Sequence, residues 1–295
     1  MDPGKIDIHD PDRYVAGVPH EEFRWLRENR PVFFQELPQG RGYWALTRHA
    51  DIVEVSKDLH TFSAQRAGIL IGDSLAPDRN KLMMLSMDPP HHQPYRRLVT
   101  YAFTPKMVNA LEPRIRRITR GIMDEAADLG EVNVVTDMAA KLPMEVIGEL
   151  MDVPKADRPK LTYWAERNVG FDDPDLAPAP DEIAAAGQSM GAYGYALAKE
   201  RIGGGGDDLI TAIINAEVDG ERMDGTHFGV FFNQIATAAN ETTRTLLAAG
   251  LDTLLDHPDA FEELRQDPGK IPRAVEEMLR YVPPLHYFRR TATRD

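Results

Sequence analysis

The chain has 295 residues, 42% hydrophobic and 27% charged, the balance of a globular protein able to bury a substantial core. A formal net charge of −13 argues against nucleic acid as a partner. No apolar run approaches the ~18 residues that span a membrane, and the N-terminal MDPGKIDIHDPDRY is too polar for a secretory signal, so a cytoplasmic protein is expected. There is no cysteine, so this chain supplies no disulfide, thiolate nucleophile, iron–sulfur ligand or thiolate zinc site.

Taken in chain order, an amphipathic helix is predicted over 19–30, with Phe23 and Leu26 inward. Val32-Phe33-Phe34 and Tyr43-Trp44-Ala45-Leu46 read as two strands around Pro38, Gly40 and Gly42, a hairpin signature. From there the periodicity is helical over 49–58, 91–102, 105–129, 137–151, 155–169, 181–201, 207–217, 224–256, 259–266 and 270–281. A short strand over about 286–292 follows Pro283-Pro284. The expected fold is therefore mostly α with a small β portion, β-containing to about residue 48 and helical from 49. Two connections are long enough to act as lids or binding loops: 64–79, with apolar Ile69-Leu70-Ile71 at its centre, and the acidic, proline-rich 171–180. The four glycines at 203–206 read as a flexible joint, since no strand precedes them and no Lys-Ser/Thr follows.

The helix over 224–256 carries the most informative residues. It starts at the N-cap candidate Asp224, stops at His257-Pro258, and would run roughly 48 Å. Phe228, Phe231, Phe232, Ile235, Ala239, Leu246 and Leu247 form its apolar stripe. Thr242 falls on that stripe with Glu241 beside it. A mid-helix Thr can bond back to the carbonyl four residues earlier, here that of Ala238, and small Ala238 and Ala239 leave room for a ligand. An acid, an alcohol and a gap suggest proton delivery to something bound there; the alternative is a core helix with a tolerated Thr pair.

Three further constellations stand out. Glu277 and Arg280, three apart, are within ion-pair reach. In Met87-Asp88-Pro89-Pro90-His91-His92-Gln93-Pro94-Tyr95-Arg96, His92 and Arg96 are four apart and present two donors on one helix face. Over 96–120, Arg96, Arg97, Lys106, Arg114, Arg116, Arg117 and Arg120 face one acid, Glu112, as a docking patch for an acidic partner or a solvated face. The other histidines lack paired metal-ligand spacing, and no metal site is predicted. No Gly-x-Ser-x-Gly elbow and no dinucleotide fingerprint occurs.

Together, and in this order along nearly the whole chain, the motifs resemble the cytochrome P450 family of haem-thiolate monooxygenases. Asp88-Pro89-Pro90 with His92 and Arg96 is similar to the family's C-helix segment, Ala238 to Thr243 to its oxygen-activating motif, and Glu277-x-x-Arg280 to its K-helix pair, followed by the strand arginine Arg290. Asn240-Glu241-Thr242-Thr243-Arg244 and Phe288-x-Arg290-Thr291-Ala292 are most similar to bacterial members that oxidise sterol side chains or methyl-branched lipids.

The resemblance implies a single domain of this fold over 1–295, C-terminally incomplete, whose parent uses haem b, O2 and an apolar substrate such as a sterol, terpenoid or methyl-branched lipid. His92, Arg96 and Arg290 would hold the haem propionates. Glu241 and Thr242 would relay protons to dioxygen, with Ala238 and Ala239 over the haem. Glu277 and Arg280 would form a buried structural pair. Ile69, Ile235, Leu285 and the loop over 171–180 would shape the substrate pocket, and the basic stretch would receive an acidic ferredoxin or flavodoxin-type donor. Ala239 stands where the family often has Gly. The thiolate that holds the iron lies in the family's C-terminal loop, and this chain has no cysteine. The expectation is that these 295 residues alone do not bind haem through a thiolate and are not a competent oxygenase. The alternative reading is a catalytically silent homologue that binds or activates another enzyme.

Overall fold

Phe33 faces a small core while Phe34 faces solvent, and this alternation sets strand β1, Val32–Glu36, in a computed structural model of the chain. The structure describes residues 3–294 except 16, 39, 73–80, 104, 171, 172, 174, 175, 177, 207 and 219. The distal part of the loop expected over 64–79 and much of the loop over 171–180 therefore lie outside the described residues, as does the side chain of Lys106.

The chain divides into two compact units, Met1–Asp73 with Arg289–Asp295, and Ser74–Phe288. In the first, β1 pairs antiparallel with β2, Gly42–Leu46, in the register Val32↔Leu46 to Glu36↔Gly42. Gly40 closes the turn at φ +77°, a conformation that L side chains resist. Helix α1, His20–Asn29, buries Leu26 completely against Ile6 and Phe33, with Phe23 and Trp25 packed alongside. Helix α2, His49–Lys57, follows. Phe62–Ser63 then pairs antiparallel with Thr291–Ala292. The strand expected over about 286–292 is thus only two residues long, because its partner offers two residues of ladder.

The second unit is helical: α3 His92–Ala102, α4 Pro105–Leu129, α5 Lys141–Leu150, α6 Arg158–Val169, α7 Pro180–Lys199, α8 Leu209–Ile214, α9 Gly225–Asp256, α10 Pro258–Gln266 and α11 Ile271–Tyr281. Two expectations change. The helix expected over 137–151 is a π-helical segment, Val134–Ala139, running into α5; Asn133 caps it by accepting from the Val135 and Thr136 amides. The helix expected to reach 217 ends at Ile214, and Glu217–Val218 pairs with Glu221–Arg222 as a tight hairpin across Gly220, which sits at φ +82°.

Helix α9 begins where Asp224 Oδ1 accepts the His227 amide at 2.9 Å and ends at His257, before Pro258. Its N-terminal half is the spine of the core. Phe228 and Phe232 are fully buried with Leu161, Met190, Ile210 and Ile213. Each such ring stabilises the fold by roughly 1.5–3 kcal/mol through area removed from water. Phe232 packs where Gly194 of α7 has no side chain; a Cβ there would lie 2.2 Å from the ring. Arg158, itself buried, pairs with Glu145 and lies 3.8 Å from Glu149, tying α6 to α5.

Candidate active site

On α9 the core stripe gives way to polar residues after Ile235. The Thr242 hydroxyl donates to the Ala238 carbonyl at 2.8 Å, the back-bond expected from the sequence. Ala238 is exposed, and Ala239, Glu241 and Thr242 are half-buried. Glu241 is not bonded to Thr242. One carboxylate oxygen takes a hydrogen bond from Arg244, one turn on, and the other accepts from Asn240 Nδ2 at 3.3 Å. Burial pushes the Glu241 carboxyl above its ordinary range; Arg244 opposes that, and Glu166 and Asp173 add to it.

A polar seam absent from the sequence reading leads to this acid. Asn168 at the end of α6 donates to Asn233 Oδ1 at 2.9 Å and to the Thr237 hydroxyl at 3.3 Å. Asn233, Thr237 and Asn240 follow one another at four and three residues along α9, and all are buried. Asn240, 2% exposed, has its Oδ1 without a hydrogen-bond partner among the described residues. The signal lay in the sequence as polar residues at helical spacing, but Asn and Thr at those positions look like any solvated face until their burial is known.

The remaining candidates lie elsewhere. His92 opens α3, half-buried; burial first, and then the nearby Arg96 guanidinium, hold its imidazole below the ordinary histidine range. Arg96 is exposed. Arg290 belongs to the first unit and donates to the Arg289 carbonyl at 2.8 Å. Its neighbour Arg289, not singled out in the sequence, organises the Ile69 loop: its guanidinium donates to the carbonyls of Ala67 and Ile71, the latter at 2.8 Å, and its amide to that of Ile69 at 2.7 Å.

Glu277 and Arg280 are joined by hydrogen bonds of 2.6 and 2.7 Å, yet the expected buried pair is an exposed one, with side chains 59% and 68% accessible. Both project from the polar face of α11, which buries none of its residues. Ile235 packs partly against the core, Leu285 is exposed beyond α11, and Ile69 lies in the first unit. On the basic stretch, Arg116 pairs with Glu112 at 2.9 Å and Arg117 with Glu149 at 3.4 Å, while Arg114 and Arg120 are exposed.

The donor set fits part of a haem site. Small Ala238 and Ala239, the acid Glu241 and the alcohol Thr242 suit the oxygen side, and the cation of exposed Arg96 suits a propionate. A thiolate that would hold the iron is not among these residues, and no cluster of three His, Asp or Glu side chains that could hold a metal occurs among the described residues. Nor is any helix of the described residues long and apolar enough to cross a membrane.

No family model matches the chain. Individual relatives do. A steroid C26-monooxygenase of Rhodococcus jostii is 33% identical over 99% of this chain and 64% of its own length. One of Mycobacterium tuberculosis is 32% identical over 99% of this chain and 70% of its own. A methyl-branched lipid omega-hydroxylase of Mycobacterium tuberculosis is 36% identical over 92% and 66%. The chain thus spans about two thirds of the length of these relatives, and slightly less of the Rhodococcus protein. Among solved structures, a Mycobacterium marinum cytochrome P450 in complex with pseudoionone superposes with a TM-score of 0.87 at 34% identity, covering 99% of this chain and 74% of that one. A P450 from Novosphingobium aromaticivorans gives 0.86 at 28%, covering 97% and 72%. With that likeness running from the hairpin of the first unit through the acid–alcohol stretch of α9, the chain belongs to the cytochrome P450 family.

Proposed function

We propose that this chain is the oxygen-handling part of a haem-thiolate monooxygenase that inserts one atom of O2 into an unactivated C–H bond of an apolar substrate. The observation that carries the reading is the Thr242 hydroxyl donating to the Ala238 carbonyl with the half-buried acid Glu241 beside it. Haem b, when bound with its thiolate, supplies the electron density that favours O–O cleavage. The chain's own residues do the rest. Glu241, its pKa raised by burial, holds a proton more readily than an ordinary carboxyl and is placed to donate one. Thr242 offers a hydroxyl to pass it on, and Ala238 and Ala239 keep the approach clear. Within the second unit, His92 and Arg96 serve the propionates and Ile235 and Leu285 the substrate; the resemblance implies the same roles for Arg290 and Ile69, which belong to the first unit.

The named relatives support a steroid or methyl-branched lipid as that substrate; a terpenoid rests on the resemblance alone. The exposed Arg114 and Arg120 support docking of an acidic ferredoxin or flavodoxin-type electron donor. A silent homologue that activates another enzyme is the second reading; the retained Glu241–Thr242 neighbours weigh against it, since a scaffold needs no proton relay.

The test is spectroscopic. The 295-residue chain supplied with haem, reduced and treated with CO should show no thiolate-type Soret band. A chimera extended by the part of the Mycobacterium tuberculosis steroid relative that carries its thiolate loop should show one. A thiolate-type band from the chain alone, or none from a folded chimera, would overturn the reading.

A further inference from the structure

Arg289 is a cation whose acceptors are backbone carbonyls rather than a carboxylate. Its Nη1 donates to the Ile71 carbonyl at 2.8 Å and reaches that of Gly72 at 3.5 Å, and its Nη2 donates to that of Ala67. Its main-chain amide donates to the Ile69 carbonyl at 2.7 Å. One residue therefore gathers the carbonyls of 67, 69, 71 and 72, all within the first unit. The chain is steered into this shape locally. Phe62–Ser63 is laddered to Thr291–Ala292, the Arg66 amide donates to Ser63 Oγ at 3.0 Å, and Gly68 turns at φ +79° with its amide on the Ala64 carbonyl. Converging carbonyl dipoles repel one another, and a cation among them offsets that repulsion. Without it, the half-buried Ala67 and Ile71 would keep carbonyls aimed at each other with no donor between them.

We propose that Arg289 is a positioning residue: its guanidinium is the internal cation that builds the 67–72 loop and so selects which of three apolar side chains the loop presents. Ile69 and Ile71 are half-buried, and Leu70 between them is 43% exposed. The bonds to residue 289 fall on the carbonyls either side of Leu70, so turning the loop to exchange Leu70 for a neighbour breaks them. The purpose of this arrangement rests on the monooxygenase reading, in which Ile69 helps to shape the substrate pocket; the test does not. A guanidinium suits the task because its planar fork reaches carbonyls on two sides, whereas a lysine ammonium is a single point of charge. Arg289 Nε is buried without a hydrogen-bond partner among the described residues. The side chain's hold on the loop therefore lies in the two Nη groups, the part of arginine that free methylguanidinium reproduces.

The experiment is limited thermolysin cleavage of the folded 295-residue chain, with cut sites read by mass spectrometry. The protease cuts before Leu and Ile, so its rate at Ile69, Leu70 and Ile71 reports how often the loop leaves its place. Arg289→Ala should be cut there about tenfold faster or more than the unsubstituted chain. Methylguanidinium, which fits the space that Ala leaves, should slow that cleavage again, and methylammonium at the same concentration should not. Arg289→Met, which fills the space with an uncharged chain, should be cut fast with either. Cleavage of folded Arg289→Ala at the unsubstituted rate would overturn the proposal, as would a fast rate that methylguanidinium leaves unmoved or that methylammonium slows equally. Should Arg289→Ala fail to fold, the Nη–H resonances of Arg289 in the unsubstituted chain decide: separate, slowly exchanging signals are expected, and one averaged signal overturns the proposal. Neither haem nor substrate enters these measurements, so a loop that does not need Arg289 leaves the monooxygenase reading standing, and a failed CO spectrum leaves the role of Arg289 standing.

Discussion

The N-terminal half of α9 and the whole of α11 are both amphipathic helices, and they end in opposite surroundings. Phe228, Phe231 and Phe232 on α9 are at most 4% exposed, wedged against α7. Ile271, Val275 and Leu279 on α11, at helical spacing of four, are 48%, 42% and 40% exposed. The ion pairs divide in the same way: Arg158 with Glu145 is sheltered between α5 and α6, whereas Glu277 with Arg280 stands in solvent. Periodicity and pair spacing therefore fix a helix and the face it would bury, and say nothing of whether anything lies on that face.

The largest expected effect tests this contrast directly. Phe232→Ala should cost about 3–5 kcal/mol, seen as a drop in the urea midpoint, because the ring fills the space left by Gly194. Leu279→Ala should change stability by less than about 0.5 kcal/mol, as surface substitutions do. Equal losses would break the comparison. Next, Arg158→Ala should cost about 1–3 kcal/mol, below the full loss of a buried pair because Glu145 is 37% accessible.

A pH profile comes third. The folded-state pKa of Glu241 is raised, so its contribution to stability is complete below the unfolded value near 4.5 and is lost as pH rises through the folded value. Relative to Glu241→Gln, the unsubstituted chain should lose thermal stability as pH climbs above about 4.5. A parallel pair of Tm profiles would remove the raised pKa from the account. The smallest effect is at the solvated pair: Glu277→Gln should leave the thermal midpoint unchanged within error, and a clear destabilisation would mean that something covers α11.

Much of this frame was legible in the residues. Asp224 and His257-Pro258 bound α9 because capping and proline stops are local chemistry, and the β1–β2 hairpin follows from alternation around Gly40. The back-bond from Thr242 to Ala238 was likewise foreseeable, since donor and acceptor lie four residues apart on one helix. What escaped depends on distant partners. The π-helical entry to α5 and the early end of α8 are choices between hydrogen-bonding patterns of similar local energy. Arg289 and Arg290 are neighbours in sequence, and only the placement of the Ala67–Ile71 carbonyls shows which one anchors that loop. The pairing of Arg244 with Glu241 likewise depends on the partial burial of that acid, which periodicity does not report.

That acid and its neighbouring alcohol are the centre of the account, and oxygen-isotope labelling tests them most directly. The chain joined to the part of a relative that carries its thiolate loop, supplied with haem, a ferredoxin-type donor, a methyl-branched lipid or sterol and 18O2, should return product with one labelled hydroxyl oxygen. Glu241→Gln should cut labelled product by about 100-fold or more, the contribution typical of a positioned proton donor, while haem binding is retained. Labelled product formed at an undiminished rate by folded, haem-loaded Glu241→Gln would contradict the claim that this chain carries the proton-delivering side of the site.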